Sequence, residues 1–189
     1  MRVLGISGSL RRDSHNSKLL RAAADLLPSP AELEVFEGLR EIPPYDADDD
    51  VEPAPEAVQR LREAIASADA ALIATPEYNS SIPGQLKNAL DWASRPVGAG
   101  ALMGKPVAVI GASTGSFGAV WAQAELRKVL GASGARVIDR ELPVSKADEA
   151  FDETGHLSDH ELRERLEETL AELVSEAEQD AAATARVAA

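Results

Sequence analysis

The chain has 189 residues, of which 44% are hydrophobic, and a formal net charge of −13 at pH 7. This length suits one well-buried domain, and the negative charge argues against nucleic acid or an anionic membrane as a partner. Cysteine is absent, which excludes disulfides, thiolate metal sites and thiol redox chemistry, so a redox function needs a bound cofactor. No segment is apolar for long enough to span a bilayer, and no secretory signal pattern opens the chain, so we expect a cytoplasmic protein.

Apolar strands alternate with amphipathic helices along the chain. Short apolar runs predict strands at residues 3–6, 33–36, 70–74, 107–111 and 136–142. Apolar stripes at helical spacing follow these strands, within residues 19–27, 54–68, 86–93, 122–130 and 162–177. This alternation predicts an α/β fold with a doubly wound parallel sheet. We expect one domain over residues 1–180 and a disordered tail over residues 181–189, where the pattern ends.

Capping residues mark the helix starts. Ser14 or Asn16 is expected to cap the first helix, and Ser158 with Glu161 has the spacing of a capping box for the last. A long acidic loop with several prolines, residues 41–55, is expected to cross the surface in contact with solvent and to hold no metal.

Polar loops follow the first, third and fourth predicted strands. Periodicity does not give the strand order, but in the order 2-1-3-4-5 these three strands are neighbours. Their loops then converge at the carboxyl edge of the sheet, where open α/β folds bind ligands.

The first polar loop, residues 8–17, resembles an anion site. Hydroxyl and amide side chains stand around free backbone N–H groups at a helix start, and they come from Ser9, Ser14, Asn16 and Ser17. Arg11 adds a charge-assisted contact for a phosphate. The alternative is an ordinary N-cap with a solvated turn. The loop matches neither GxGxxG nor GxxxxGK[ST], so dinucleotide-binding and P-loop interpretations are weak.

The second polar loop joins a buried strand to a helix. Pro76 and Pro83 restrict the backbone on either side of it, which can hold main-chain groups toward a flat ligand. For Glu77 and Tyr78 the alternative is a surface loop or a subunit contact. Acid catalysis by Glu77 is disfavoured, because no histidine lies nearby in sequence.

The third polar loop, residues 111–118, contains three glycines that let its backbone approach a ligand. Its Ser113 stands in a GxSxG string, which raises the hypothesis of a hydrolase. Such an enzyme also needs a histidine and an acid from later loops, and the candidates are His156 and His160 with Asp152 and Asp159. The two histidines lack a third ligand for a metal, so no metal site is predicted.

Three strings in the chain closely resemble one known family. They are GSLRRDSHNS, TPEYNSSIPGQLKNALDW and GKPVAVIGASTGSFGAVWAQAELRKVL, at residues 8–17, 75–92 and 104–130, and the resemblance covers residues 2–142. The family is that of the NADPH-dependent FMN reductases, which includes quinone, chromate and azo-dye reductases. The resemblance implies a flavodoxin-like three-layer sandwich with five parallel strands in the order 2-1-3-4-5 and helices on both faces.

The resemblance also implies a bound FMN, with NADPH or NADH as the electron donor. Residues around the FMN phosphate are then Ser9, Leu10, Arg11, Ser14, Asn16 and Ser17. Residues along the isoalloxazine are Pro76, Glu77, Tyr78 and Asn79, with Ser113 and Gly115 at its other edge. Two departures from the family pattern stand out: His15 replaces a frequent aromatic residue, and Phe117 with a single Gly118 and Ala119 replaces paired glycines.

The implied reaction is hydride transfer from NAD(P)H to flavin N5, followed by reduction of a quinone-like or other small acceptor in a ping-pong sequence. No side chain is predicted to be catalytic. The alternatives are a flavodoxin-like electron carrier that does not oxidise NAD(P)H and a flavin-binding regulatory protein. The sequence determines neither the acceptor nor the choice between NADPH and NADH, since it contains no recognisable clamp for a 2′-phosphate.

Members of the family are commonly dimers or tetramers. We therefore expect a homodimer or homotetramer with Tyr78 and Trp92 near the subunit contact. Trp92 lies outside the apolar stripe of its helix, which leaves it free to face a partner or to pack at the rim of its own sheet.

Overall fold

The computed structural model describes residues 1–187 and the side chains of residues 1–183. The strands are β1 (Arg2–Ser7), β2 (Glu32–Phe36), β3 (Ala70–Thr75), β4 (Pro106–Ala112), β5 (Arg136–Val137) and β6 (Pro143–Val144). The helices are α1 (His15–Leu26), α2 (Glu56–Ser67), α3 (Gly84–Ala93), α4 (Val120–Ala132) and α5 (His160–Val187). None of the helices over this described part is long and apolar enough to cross a membrane.

All strands are parallel and follow the order β2-β1-β3-β4-β5, with β6 also paired to β4. The predicted order 2-1-3-4-5 is confirmed. The two central strands, β3 and β4, are buried along their whole length and consist largely of alanine, valine and isoleucine. Such near-continuous apolar runs are typical of parallel strands covered on both faces.

The two faces of the sheet carry separate apolar cores, so helices lie on both sides as predicted. One core packs α2, α3 and α4 against the sheet through residues such as Leu61, Leu86 and Leu126. The other packs α1 and α5 through residues such as Leu20 and Leu170.

The prediction of one continuous fifth strand over residues 136–142 is wrong. β5 pairs with the start of β4, and β6 pairs with its end, while the residues between them leave the sheet. Those residues include Arg140 and Glu141, whose charged side chains turn toward carboxylate and guanidinium partners on the neighbouring helices. Arg140 forms ion pairs with Glu168 and Glu172 of α5, and Glu141 pairs with Arg127 of α4.

The last helix begins one residue later than the predicted capping box implies. The carboxylate of Asp159 accepts hydrogen bonds from the backbone N–H groups of Glu161 and Leu162, at 2.8 and 3.2 Å. Ser158 therefore does not cap α5, and its N–H donates to Ala150 instead. The helix continues past position 181 as far as Val187. Residues 188 and 189 of the predicted tail lie outside the described residues.

The acidic loop that follows β2 folds back over α3. Polar side chains of the helix bind its backbone: Gln85 donates to Leu39 and Ile42, and Asn88 donates to Pro43. Leu39 and Ile42 are themselves buried. The loop thus covers the helix, while Asp46, Asp48 and Asp49 face solvent and Asp50 pairs with Arg62 of α2 at 2.9 Å.

Trp92 is buried beneath this loop. Its side chain is 0% exposed, its indole N–H donates to Pro43 at 3.0 Å, and the ring of Tyr45 meets it edge-on at 4.9 Å. The expectation that Trp92 faces a second subunit is wrong, because a segment of the same chain already covers its indole ring.

Candidate active site

The loops that follow β1, β3 and β4 meet at the carboxyl edge of the sheet. The register places Ser7 beside Ala74, and Thr75 beside Gly111, so the three loops leave the sheet at the same level. Between them lies a cavity of about 190 Å³, here called the three-loop cavity. Its lining residues are Ser9, Arg11, Ser14, His15, Asn16, Pro76, Glu77, Tyr78, Ala112, Ser113 and Thr114.

Eight of the twelve predicted site residues line this cavity. The other four lie close to it. Leu10 and Ser17 line a second cavity on the far side of the first loop. Asn79 and Gly115 each stand one residue beyond the lining, next to Tyr78 and Thr114.

The first loop places hydrogen-bond donors at the start of α1. Ser14 is the N-cap, and its hydroxyl accepts from the N–H groups of Asn16 and Ser17 at 3.1 and 3.3 Å. The guanidinium of Arg11 folds back onto the carbonyl of Asp13, and its backbone N–H donates to the hydroxyl of Ser9. These groups surround the positive end of the α1 dipole, which favours an anion.

Asn16 joins the first loop to the third. Its side-chain amide donates to the carbonyl of Ala112 and accepts from the N–H of Ala112, both at 2.9 Å. The side chain is buried. This pair of hydrogen bonds fixes the spacing of the two loops, a structural task that the sequence did not indicate.

Gly8 lets the first loop approach the second. A Cβ atom at this position would lie 2.8 Å from Cδ2 of Leu86 and 3.4 Å from Cδ of Pro76. The N–H of Gly8 donates to the carbonyl of Ala74 at 2.8 Å. A side chain at position 8 would therefore require Leu86 of α3 to move.

The second loop makes a two-residue turn. Tyr78 and Ser81 exchange backbone hydrogen bonds at 3.0 and 3.1 Å, and between them Asn79 and Ser80 have φ values of +53° and +60°. Two consecutive left-handed residues are the signature of a type I′ turn, in which asparagine is favoured. The turn presents the ring of Tyr78, which is 52% exposed, at the mouth of the cavity.

Glu77 of the second loop caps α4, the helix that follows the third loop. Its Oε2 atom accepts from the N–H groups of Trp121 and Ala122, both at 3.1 Å. The helix α4 has no capping side chain of its own, because it begins after Ala119 in a left-handed conformation. A carboxylate is stabilised at the positive end of a helix, so the second and third loops are held together by charge.

Gln123 of α4 holds the end of the third loop in place, a role that was not predicted from the sequence. This side chain is fully buried, donates to the carbonyl of Gly118 at 3.0 Å and accepts from the N–H of Leu142 at 3.1 Å. Its signal in the sequence is a lone amide on the apolar stripe that includes Ala122 and Leu126 of α4.

The hydrolase hypothesis finds no support in the positions of the histidines. The hydroxyl of Ser113 accepts from the N–H of Gly115. His156 contacts Thr154 and Asp25, and His160 lies 3.5 Å from Glu164. Neither histidine lines the three-loop cavity.

His15 is the histidine that lines the three-loop cavity. Its ring stacks on Phe151 with centroids 6.4 Å apart, and its buried Nδ1 has no hydrogen-bond partner in the protein. Burial lowers the pKa of His15, the positive charges of Arg11 and Lys18 lower it further, and Asp148 opposes them. The neutral imidazole ring of His15 therefore forms one aromatic side of the cavity.

The chemistry of the lining fits FMN. The guanidinium of Arg11 and the hydroxyls at the start of α1 are hydrogen-bond donors for a phosphate. The second and third loops offer main-chain polar groups and the Tyr78 ring to a flat heterocycle. Among the residues whose side chains are described, no cluster of three or more His, Asp or Glu side chains suits a metal ion.

Comparison with known proteins assigns the family. The model of the family described as NADPH-dependent FMN reductase matches residues 1–149. An NAD(P)H-dependent FMN reductase of Pseudomonas aeruginosa is 45% identical over 171 residues, which cover 90% of this chain and 91% of that protein. A 2-hydroxy-1,4-benzoquinone reductase of a Burkholderia species is 40% identical over 168 residues, which cover 88% and 91%.

A solved structure agrees with this assignment. The flavoenzyme NAD(P)H:(acceptor) oxidoreductase FerB of Paracoccus denitrificans superposes with a TM-score of 0.82 at 36% identity, covering 94% of this chain and 97% of that one. The chain therefore belongs to the family of NADPH-dependent FMN reductases, and it is an oxidoreductase whose cofactors are FMN and a nicotinamide nucleotide.

Proposed function

We propose that the three-loop cavity holds FMN and that the protein passes electrons from NAD(P)H to a quinone-like small molecule. One observation carries the proposal. Hydrogen-bond donors suited to a phosphate lie at the start of α1, beside two loops whose main-chain groups can contact a flat ring. Two similar proteins are named for reduction of FMN and of 2-hydroxy-1,4-benzoquinone, and these names support the choice of substrates.

The residues divide into a phosphate part and a ring part. Ser9, Arg11 and Ser14 hold the phosphate, with Leu10 and Ser17 of the same loop beside them. Asn16 contributes through its position, since its side chain is bound to Ala112. The ring lies between the segment 76–79 on one side and the segment 113–115 on the other.

The chain's own groups orient the reactants and exclude water, and no side chain acts as an acid or base. FMN bound there would supply the redox chemistry, namely hydride transfer from NAD(P)H to its N5 atom and electron transfer to the acceptor. Donor and acceptor need the same atom, so we propose that they bind in turn with ping-pong kinetics. Initial-rate plots that intersect would contradict a shared site, and parallel plots are expected.

An exposed aromatic patch beside the cavity supports the proposal of a homodimer or homotetramer. Phe117 is 63% exposed and Trp121 is 48% exposed, their rings lie 4.8 Å apart, and Tyr78 stands on the adjacent loop. Exposed aromatic clusters of this kind mark contact surfaces. Sedimentation at micromolar concentration is expected to show a dimer or tetramer, and Trp121→Ser is expected to shift it toward monomer. A cytoplasmic location is part of the same proposal, and cell fractionation tests it.

The decisive experiment is an anaerobic titration. The purified protein is expected to be yellow, and NADPH or NADH is expected to bleach its flavin absorbance, which a quinone then restores. Asn79→Ala is expected to weaken FMN binding, because alanine disfavours the left-handed conformation of the turn, whereas Asn79→Gly keeps it. A protein that binds FMN but is bleached only by one-electron reductants would be an electron carrier. A protein that stays colourless with added FMN would contradict the proposal.

A further inference from the structure

His15 lies beside the place proposed for the FMN phosphate. It is the first residue of α1, directly after the N-cap Ser14, and it lines the three-loop cavity together with Ser9 and Arg11. The site residues that the family resemblance implies do not include it. Its position alone therefore assigns it no task, and its hydrogen bonding and charge environment decide what it does.

The imidazole of His15 lacks a hydrogen-bond partner in the protein. Its Nδ1 atom is the single buried nitrogen or oxygen without a partner among the described side chains. The other two histidines contact polar groups of the chain: His156 contacts Thr154, and His160 lies 3.5 Å from Glu164. Buried polar atoms in native proteins almost always have a partner. This exception indicates a partner outside the polypeptide.

The charges around His15 suit an anionic partner. Arg11 of the first loop and Lys18 of α1 act on the ring, and Asp148 of the loop after β6 is the carboxylate that opposes them. Glu77, the carboxylate in the lining of the cavity, is already bound to N–H groups at the start of α4. Two cations and the positive end of the α1 dipole thus outweigh one carboxylate, and this balance attracts an anion.

The same charges keep the imidazole neutral in the cofactor-free protein. Burial lowers the pKa of His15, and Arg11 and Lys18 lower it further. A phosphate dianion beside the ring acts in the opposite direction, because an adjacent negative charge stabilises the imidazolium. The ring stacks on Phe151 but forms no hydrogen bond to the described residues. It can therefore take up a proton and turn toward a phosphate without breaking a hydrogen bond.

We propose that His15 is a further phosphate-binding residue: as FMN binds, its imidazole takes up a proton from solvent and donates a charge-assisted hydrogen bond to the phosphate. This role rests on the proposed function, since it requires FMN in the three-loop cavity. It deepens that function by linking cofactor affinity to pH. Phenylalanine, an aromatic residue of the kind frequent at this position in the family, cannot take up a proton. The linkage is thus a property of this chain.

The direction of the pH effect follows from the two states of the ring. In the cofactor-free protein the pKa of His15 is lowered from 6.5, and the phosphate raises it in the complex. FMN affinity is then present below the raised pKa and is lost as the pH rises through it. The FMN phosphate is largely a dianion above about pH 7, so its own titration contributes little between pH 7.0 and pH 8.5.

The test is a calorimetric titration of the cofactor-free full-length protein with FMN at pH 7.0, in two buffers of different ionisation enthalpy. The difference in heat gives the number of protons taken up. Wild type is expected to take up about half a proton or more above the value for His15→Phe, which keeps a ring to stack on Phe151. Between pH 7.0 and pH 8.5, the Kd of wild type for FMN is expected to rise about threefold or more, and that of His15→Phe less than about twofold.

Two controls accompany this titration. His160→Gln removes an exposed histidine from outside the cavity and is expected to match wild type. Riboflavin, which lacks the phosphate, is expected to bind wild type with about half a proton less uptake than FMN. The comparison of FMN with riboflavin uses the wild-type protein alone, so it holds even if His15→Phe does not fold.

The outcomes separate this role from the proposed function. FMN binding with equal proton uptake in wild type and folded His15→Phe would overturn the role of His15 and leave the proposed function standing. Equal uptake with FMN and riboflavin would overturn it too, because the titrating group would then not respond to the phosphate. If neither protein binds FMN, both proposals fail. Proton uptake that depends on His15, in a protein that does not oxidise NAD(P)H, would sustain this role and contradict the proposed function.

Discussion

Glu77 shows how one side chain can hold two loops in place without taking part in chemistry. Its carboxylate accepts two hydrogen bonds from the start of α4, a helix 44 residues further along the chain. Glu77→Ala is expected to lower the free energy of unfolding by about 1 kcal/mol, the typical value for a lost N-cap. For a chain of this size the melting temperature then falls by about 2–4 °C.

The control for this change is Glu77→Gln, which keeps an acceptor oxygen and is expected to lose less stability. FMN affinity is expected to fall with Glu77→Ala, since the second and third loops separate. Equal melting temperatures for wild type and Glu77→Ala would show that the cap contributes nothing.

His15 makes the stability of the cofactor-free protein depend on pH. Its pKa is lowered from 6.5, first by burial and then by Arg11 and Lys18. The unfolded chain therefore binds a proton at this residue more readily than the folded chain does. The free energy of unfolding is expected to fall as the pH drops through about 6.5 toward the lower folded pKa, and this contribution is constant above 6.5.

Urea denaturation at pH 7.5 and pH 5.5 measures this effect. The loss of stability between the two is expected to be smaller in His15→Phe, which keeps the stacking partner of Phe151 and removes the proton site. His160→Gln, a change at an exposed histidine, is expected to behave like wild type. A pH dependence equal in His15→Phe and wild type would rule out His15 as its source.

Individual residues were predictable from sequence where one local rule decides their role. Ser14 caps α1 as expected, because a serine before a helix satisfies free N–H groups in its own turn. The side-chain roles of Asn16 and Trp92 depend on Ala112 and Pro43, which lie 96 and 49 residues away. These partners are determined by tertiary packing of the sheet and the loop. The spacing of residues along one helix carries no information about that packing.

At the scale of elements, α4 is joined to two other parts of the fold by Gln123. Gln123→Leu would leave the carbonyl of Gly118 and the N–H of Leu142 buried without partners. An unsatisfied buried polar group costs about 1–3 kcal/mol, so the variant is expected to lose about 2 kcal/mol or more of stability. Denaturant unfolding measures this loss, and Gln179→Leu at an exposed site of α5 is the control.

The same variant is expected to bind FMN more weakly, because Gln123 holds the third loop at the edge of the cavity. A stable Gln123→Leu protein with unchanged FMN affinity would contradict this role. Loss of stability with unchanged affinity would limit the role to the fold.

This chain has Gly118 and Ala119 before α4, where the family often has paired glycines. Two opposing effects on stability explain why alanine can stand at the second position. Gly118 has φ of +57°, and a Cβ there would lie 2.5 Å from a carbonyl carbon of Pro143, so glycine is required. Ala119 has φ of +62°, which strains a residue with a side chain by about 1–2 kcal/mol. Its methyl group is buried, which returns about 0.8 kcal/mol. The net cost is then about 0.2–1.2 kcal/mol, so alanine is tolerated in place of the second glycine at a small loss of stability.

Elements were predictable where apolar periodicity is uninterrupted. The central strands and the helices lie close to their predicted positions, because burial on a face imposes a regular pattern. The fifth strand was predicted as one piece because residues 136–142 are flanked by apolar positions. Its interruption depends on carboxylates of α5 that receive Arg140, and these lie more than 25 residues further on.

For the molecule as a whole, the sequence predicted the strand order and the convergence of three loops, and it missed the cavity between the ends of β1 and β2. The order followed from the family resemblance, since apolar periodicity alone does not determine it. The missed cavity is lined by residues of the first loop, α1 and the segment after β2, among them Arg11, Arg12, Arg21 and Arg40. These arginines come from separate parts of the chain, and the overall charge of −13 conceals them.

The interrupted fifth strand also bears on whether one molecule can pair with another through the edge of its sheet. The edge of a sheet offers unpaired N–H and C=O groups on which another chain can add a strand and begin to aggregate. Here that edge is divided into two pieces of two residues each, and charged residues bulge out between them. We expect an incoming strand to pair less readily with this interrupted, charged edge than with a continuous one.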